Sequence, residues 1–118
     1  TPGVPDKKMV WNITRSFYRN LIDGGVKIYE YTPGFIHGKV FVSDDIVATV
    51  GTINLDYRSL YLHFENGTYL YSSKKVLDVR DDMLDTISKS HQVQKGEIKD
   101  GLLRSLVIGV VKLFAPLL

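Results

Sequence analysis

The stretch His37-Gly38-Lys39-Val40-Phe41-Val42-Ser43-Asp44, followed after six residues by Gly51-Thr52-Ile53-Asn54, decides how this chain folds. Short runs rich in β-branched residues at 40–42 and 46–50 predict two antiparallel strands, joined by a tight turn at Ser43-Asp44-Asp45. A turn centred on Asp44-Asp45 places His37 opposite Thr52 and Lys39 opposite Val50. Opposed residues share a face of a sheet, as do residues two apart on one strand. The side chains predicted to project to one side are therefore His37, Lys39, Thr52 and Asn54.

These four side chains have the chemistry of a phosphate site. Lys39 supplies a cation, Asn54 an amide donor and Thr52 a hydroxyl, while the imidazole of His37 can attack phosphorus or move a proton. Phosphoryl transfer needs such groups, because charge on the non-bridging oxygens must be stabilised while a nucleophile approaches. Asp44 lies roughly 23 Å from His37 along an extended strand. It is therefore predicted to hold the turn and not to touch the same substrate.

The composition bounds the class of protein. A chain of 118 residues, 44% of them hydrophobic, can form one domain with a substantial core. The net charge of +2, without a clustered basic face, argues against nucleic acid as a partner. Cysteine is absent, which excludes disulfides and thiolate metal sites. No apolar run reaches the roughly 18 to 20 residues of a membrane span, so any anchor is expected outside this chain.

Apolar periodicity predicts the remaining elements. A helix capped by Asp6 is predicted to end at Asp23-Gly24-Gly25 and to bury a stripe that consists of Met9, Ile13, Phe17 and Leu21. Strands are predicted at 26–31 and 60–71, and a second helix from the Ser73 cap to about His91. Because the central hairpin is apolar on both faces, its sheet is expected to be covered on both sides, as in α/β proteins.

Two features outside the hairpin have alternative interpretations. The acidic side chains of the second predicted helix resemble a metal cluster, but the absence of a convergent histidine favours a solvated face for Asp78, Asp81, Asp82 and Asp85. Residues 102–118 are strongly apolar, with Arg104 and Lys112 as their charges. This tail could lie in a lipid interface or pack on the rest of the domain, and its few basic residues favour packing.

The pattern H-x-K-x4-D-x6-G-T-x-N, from His37 to Asn54, resembles the signature of the phospholipase D superfamily. Further stretches are similar to bacterial cardiolipin synthases in particular, namely Asn54-Leu55-Asp56-Tyr57-Arg58-Ser59, Phe64-Glu65 and Leu113-Phe114-Ala115-Pro116-Leu117-Leu118. The resemblance implies an α/β phospholipase D-like domain, with a mixed β-sheet covered by helices on both faces. It divides the chain into a catalytic half-domain, 1–95, and an apolar C-terminal tail, 96–118.

The resemblance also implies a mechanism. Superfamily members place two H-x-K motifs about a pseudo-two-fold axis, so that one histidine forms a phosphohistidine and the other protonates the leaving group. A cardiolipin synthase joins two molecules of phosphatidylglycerol and releases glycerol, without a metal or other cofactor. His37 would be one of the two histidines, oriented by Glu65, with Lys39, Thr52 and Asn54 on the phosphoryl oxygens. Asp44 is a motif member with a structural role.

This chain carries one motif, so we expect it to be the C-terminal half of a longer enzyme and inactive or weakly active alone. Its expected partners are phosphatidylglycerol, the membrane surface and an N-terminal half with the first motif. The expected location is the cytoplasmic side of the bacterial cell membrane, peripheral for this domain, with spans in the N-terminal part. A symmetric homodimer could instead complete the site. The alternatives are a dimeric phosphodiesterase or nuclease, and a non-catalytic structural half-domain.

Overall fold

The computed structural model describes residues 1–98 and 109–110. The elements follow one another as α1 (Lys8–Arg15), α2 (Tyr18–Asp23), β1 (Tyr29–Tyr31), β2 (Lys39–Ser43), β3 (Val47–Gly51), α3 (Tyr57–Tyr61), β4 (Gly67–Tyr71), α4 (Lys74–Ser88), β5 (Ser90–Gln92) and a 3-10 turn (Lys95–Glu97). The α/β class predicted from the sequence is confirmed. The described residues form two compact units: unit 1 contains Thr1–Phe35 and the described residues from Ser90 onward, and unit 2 contains Ile36–Lys89.

Unit 2 contains an antiparallel sheet with the strand order β2-β3-β4. The predicted turn at Asp44-Asp45 is present: both residues have positive φ, 54° and 57°, and the Ile46 amide donates to the Ser43 carbonyl at 3.0 Å. However, Ser43 pairs with Val47 and not with Ile46. The extra residue shifts the ladder, as a bulge does, so Lys39 lies opposite Gly51. The predicted pairing of Lys39 with Val50 is wrong by one residue.

Helix α4 packs on all three strands of this sheet. Ala48 and Val76 are fully buried, while the tyrosines at the other face of β4, Tyr69 and Tyr71, are 64% and 66% exposed. Among the described residues of unit 2, helices thus cover one face of the sheet and not both. The sheet was expected to be mixed, but the described ladders are antiparallel. Parallel pairing occurs in the isolated bridge between Pro2 and Tyr31.

The region predicted as one strand, 60–71, begins instead within helix α3. Asp56 precedes this helix in an extended conformation, and its side chain accepts a hydrogen bond from the Ser59 amide at 2.7 Å. That N-cap stabilises the first turn of a helix although the local residues favour a strand. The strand β4 therefore starts only at Gly67.

The helix predicted from Asp6 to Asp23 is interrupted, because α1 ends at Arg15 and α2 starts at Tyr18. Before the break, side-chain donors bond back to main-chain carbonyls, as Thr14 does to Val10 and Ser16 to Ile13. Such bonds compete with regular helix geometry. The predicted Asp6 cap is also wrong, since Lys7 occupies the N-cap position and no side chain within the described part of the chain caps α1.

The interruption changes which side chains of unit 1 are buried. Three of the four residues predicted to form a buried stripe are exposed, namely Met9, Phe17 and Leu21. The core instead contains Tyr18, Ile28 and Val93, with Ile22 and Ile98 packed against it. The strands β1 and β5 pair beside this core, and His91, predicted as a helix-terminus residue, lies in β5. Most of the predicted tail, 96–118, lies outside the described residues.

Candidate functional site

His37 and Lys39 are brought together at the start of strand β2. The Lys39 ammonium nitrogen lies 3.1 Å from both Nδ1 and Nε2 of the His37 ring. A lysine ammonium only donates and a neutral imidazole has one acceptor nitrogen, so at most one of these two contacts is a hydrogen bond. Lys39 is opposed by Gly51, and Gly51 in turn by Gly67. In the row of the sheet that contains Lys39, the residues on β3 and β4 are therefore glycines, which place no side chain beside the lysine.

Asp44 lies at the other end of β2, in the turn between β2 and β3. Its carboxylate accepts a hydrogen bond from the Ser43 hydroxyl at 2.8 Å. The neighbouring Asp45 forms an ion pair with Arg80 of helix α4 at 2.7 Å. The turn is thus linked to the helix through Asp45, and Asp44 is placed away from the histidine and lysine.

Glu65 lies just before strand β4, where it receives a hydrogen bond from the Thr52 hydroxyl to its Oε2 atom. This bond, followed by hydrogen bonding from Ser59, holds the pKa of Glu65 below its ordinary value, and the charges of His63 and Lys39 add to the effect. Glu65 is therefore an anion at neutral pH. Its pairing with His37 stays a prediction, since the side-chain hydrogen bond described for this carboxylate comes from Thr52.

The remaining predicted site residues follow strand β3. Thr52 extends the ladder by one pair, since its amide donates to the Asn66 carbonyl at 2.9 Å. Asn54 lies further along the same segment and is half-buried. The structure therefore contains two pairs, His37 with Lys39 and Thr52 with Glu65, and the charge of Lys39 acts on Glu65.

Sequence reasoning missed two contributors to this region. Ser59 is buried, with 9% exposure, in the first turn of α3, and Arg58 donates from Nε to Nε2 of His63. The signal for the first was available: an aspartate at Asp56, three residues before Ser59, is a helix N-cap pattern.

The acidic side chains of α4 are exposed and pair with neighbouring cations, as Asp78 does with Lys75 and Asp85 with Lys89.

Comparison with known proteins assigns the chain to a family. A family model described as "Cardiolipin synthase, PLD-like domain" matches residues 1–87. The chain belongs to this family. Membership in the cardiolipin synthase PLD-like family confirms the resemblance seen in the sequence.

Relatives of this cardiolipin synthase-like chain are found in several bacteria. An uncharacterized protein of Streptococcus mutans is 50% identical over 99% of this chain, which covers 26% of that protein. "Cardiolipin synthase 2" of Bacillus anthracis is 38% identical and "Cardiolipin synthase" of Halalkalibacterium halodurans 35%, each over 99% of this chain. The chain spans about a quarter of the length of these relatives, 23% and 24% for the two synthases.

No solved structure matches the chain. Among the helices of the described residues, none combines the length and apolar character needed to cross a bilayer.

Proposed function

We propose that this chain is the C-terminal catalytic half of a cardiolipin synthase, which transfers a phosphatidyl group from one phosphatidylglycerol molecule to another and releases glycerol. The observation that carries the proposal is the contact of Lys39 with the His37 ring at 3.1 Å, in a chain of the cardiolipin synthase PLD-like family. An imidazole and an ammonium at this distance can act on the same phosphoryl group, one on phosphorus or a proton and the other on a non-bridging oxygen.

The proposed reaction has two steps. A histidine nitrogen attacks phosphorus, the bond from phosphorus to the glycerol oxygen breaks, and the second histidine gives that oxygen its proton. The hydroxyl of a second phosphatidylglycerol then loses its proton to the second histidine and attacks phosphorus, which releases the first histidine. The covalent intermediate separates two displacements that would otherwise require both lipids in one transition state. His37 is one of these two histidines.

The other residues of the motif have supporting roles in this proposal. Lys39 and Asn54 hold the non-bridging oxygens, Glu65 orients the His37 ring, and Asp44 holds the turn. A carboxylate on one nitrogen of an imidazole fixes the tautomer and stabilises the imidazolium that forms during proton transfer. Glu65 is ionised at neutral pH, as a glutamate of ordinary or lowered pKa is, and this role requires the ionised carboxylate.

The second histidine is proposed to come from a partner half with the first H-x-K motif. The support is the length of the relatives, of which this chain covers about a quarter. Phosphatidylglycerol is a membrane lipid, so the proposed working location is the cytoplasmic surface of the bacterial membrane. A second copy of this chain is the other source from which the second histidine could come.

The test is to incubate the chain, alone and mixed with an N-terminal half carrying the first motif, with labelled phosphatidylglycerol. Cardiolipin and glycerol are followed, with His37→Ala as the inactive variant and His91→Ala as the matched histidine control outside the site. We expect product from the mixture, lost in His37→Ala and kept in His91→Ala.

The other outcomes separate the alternatives. Turnover by the chain alone would indicate that a homodimer, and not a partner half, completes the site. Cleavage of a generic phosphodiester without any lipid product would indicate a phosphodiesterase or nuclease and not a transferase. If the mixture turned over neither substrate, the remaining interpretation would be a non-catalytic structural half-domain.

A further inference from the structure

The hydrogen bonds around Thr52 direct its hydroxyl proton to the Glu65 carboxylate. The hydroxyl oxygen accepts a hydrogen bond from the Asn66 amide at 3.0 Å, and the hydroxyl proton is donated to Oε2 of Glu65. The carbonyl of Asn66, a weaker alternative acceptor, is 3.3 Å from the same hydroxyl. A threonine hydroxyl has a single proton. Once it is given to the carboxylate, it is not available to a phosphoryl oxygen.

The position of Thr52 is set by the sheet. Its amide bonds to the Asn66 carbonyl at 2.9 Å, directly after the pair of Gly51 and Gly67 that ends the ladder between β3 and β4. Main chain and side chain of Thr52 are thus both fixed to the segment that carries Glu65. A carboxylate held in this way loses rotamer freedom before any ligand arrives.

A second element contributes to the surroundings of this carboxylate. Ser59 is buried in the first turn of α3, where its amide donates to the Asp56 cap at 2.7 Å. After Thr52, the Ser59 side chain is the next cause that lowers the pKa of Glu65.

We propose that Thr52 is a positioning residue, which holds the Glu65 carboxylate, and that it does not bind the phosphoryl group. The consequence for catalysis rests on the proposed function, in which Glu65 orients His37. This assignment differs from the phosphate-binding role that the motif alone implies for Thr52. It predicts that removing the Thr52 hydroxyl affects the chemical step and leaves lipid binding intact.

The first experiment follows the Glu65 carboxylate directly by NMR during a pH titration of the chain. Thr52→Val removes the hydroxyl at nearly constant shape, Thr52→Ser keeps it, and Thr68→Val is the matched control on β4. We expect the pKa of Glu65 to rise in Thr52→Val, to rise in Ser59→Ala, and to stay unchanged in Thr52→Ser and Thr68→Val. An unchanged pKa of Glu65 in Thr52→Val would overturn the proposal.

The second experiment measures lipid turnover by the chain mixed with the half that carries the first motif. For Thr52→Val we expect kcat to fall about ten-fold with KM unchanged, and the acidic limb of the pH profile to move to higher pH. A raised KM with unchanged kcat would instead identify Thr52 as a phosphate ligand and refute the positioning role. If the wild-type mixture turns over no lipid, the proposed function fails, while the titration of Glu65 still decides the role of Thr52.

Discussion

Gly51 and Gly67 lie directly opposite each other at the end of the ladder between β3 and β4. A Cβ atom on Gly51 would come within 2.6 Å of the Gly67 Cα atom and would also collide with the Asn66 carbonyl oxygen. Both neighbours are main chain, so a side chain at this position can be accommodated only if the strands separate. The close approach is what brings Thr52 within hydrogen-bond distance of the segment that contains Glu65 and Asn66.

We therefore expect Gly51→Ala to lower the free energy of unfolding by about 1 to 3 kcal/mol, the usual cost of overpacking. Gly38→Ala is the matched control, because a Cβ atom at Gly38 meets nothing within 4 Å. Urea unfolding followed by circular dichroism measures both. Equal stability of Gly51→Ala and the wild type would show that β4 does not approach β3 as closely as described.

The contact between α4 and the sheet is tested by two neighbouring aliphatic residues. Val76 has 0% exposure and Leu77 38%, although leucine is the larger side chain. Val76→Ala should therefore lower the free energy of unfolding by about 1 to 3 kcal/mol through loss of burial and the cavity left behind. Leu77→Ala, measured in the same urea titration, should cost less. A larger loss of stability in Leu77→Ala than in Val76→Ala would mean that α4 presents a different face to the sheet.

Helix α3 depends on its N-terminal cap. Asp56→Ala should lower the free energy of unfolding by about 1 kcal/mol, because the Ser59 amide loses its acceptor. Asp56→Asn keeps a side-chain oxygen at the cap and should behave like the wild type. Thermal unfolding of the three proteins distinguishes them, and a harmless Asp56→Ala would imply that α3 does not start at this cap.

Tyr18 makes the stability of unit 1 sensitive to alkaline pH. Burial raises the pKa of Tyr18 to about 12, above the ordinary value of 10.0. The folded state thus binds the phenolic proton more tightly than the unfolded state, so this contribution is fully present below pH 10 and is lost as pH rises toward 12.

Tyr18→Phe should weaken this loss of stability between pH 10 and 12, because phenylalanine has no proton to release. Thermal unfolding at pH 8, 10 and 11 tests the expectation, and tyrosinate absorbance follows the titration. Parallel pH profiles of the wild type and Tyr18→Phe would contradict it.

Local signals in the sequence were sufficient for part of the fold. The hairpin turn followed from Asp44-Asp45, and the N-terminus of α4 from the serine at Ser73, whose side chain accepts a hydrogen bond from the Lys75 amide. The proximity of His37 and Lys39 followed from the alternation of a strand. In each case a few neighbouring residues determine the geometry.

The remaining features depend on choices between competing local interactions. Ile46 completes the turn but stays out of the ladder, which shifted the register by one residue. Helix α3 forms because of the Asp56 cap although β-strand residues surround it. The contact of Thr52 with Glu65 could not be predicted either, since it depends on the register of β4.

The turn and the ladder of this hairpin are separable. Ile46 lies outside the ladder, between a turn whose residues Asp44 and Asp45 have positive φ and the pair of Ser43 with Val47. A residue outside the ladder can be added or removed without moving either strand, because loops tolerate changes of length. The opposition of Lys39 and Gly51 should therefore survive deletion of Ile46.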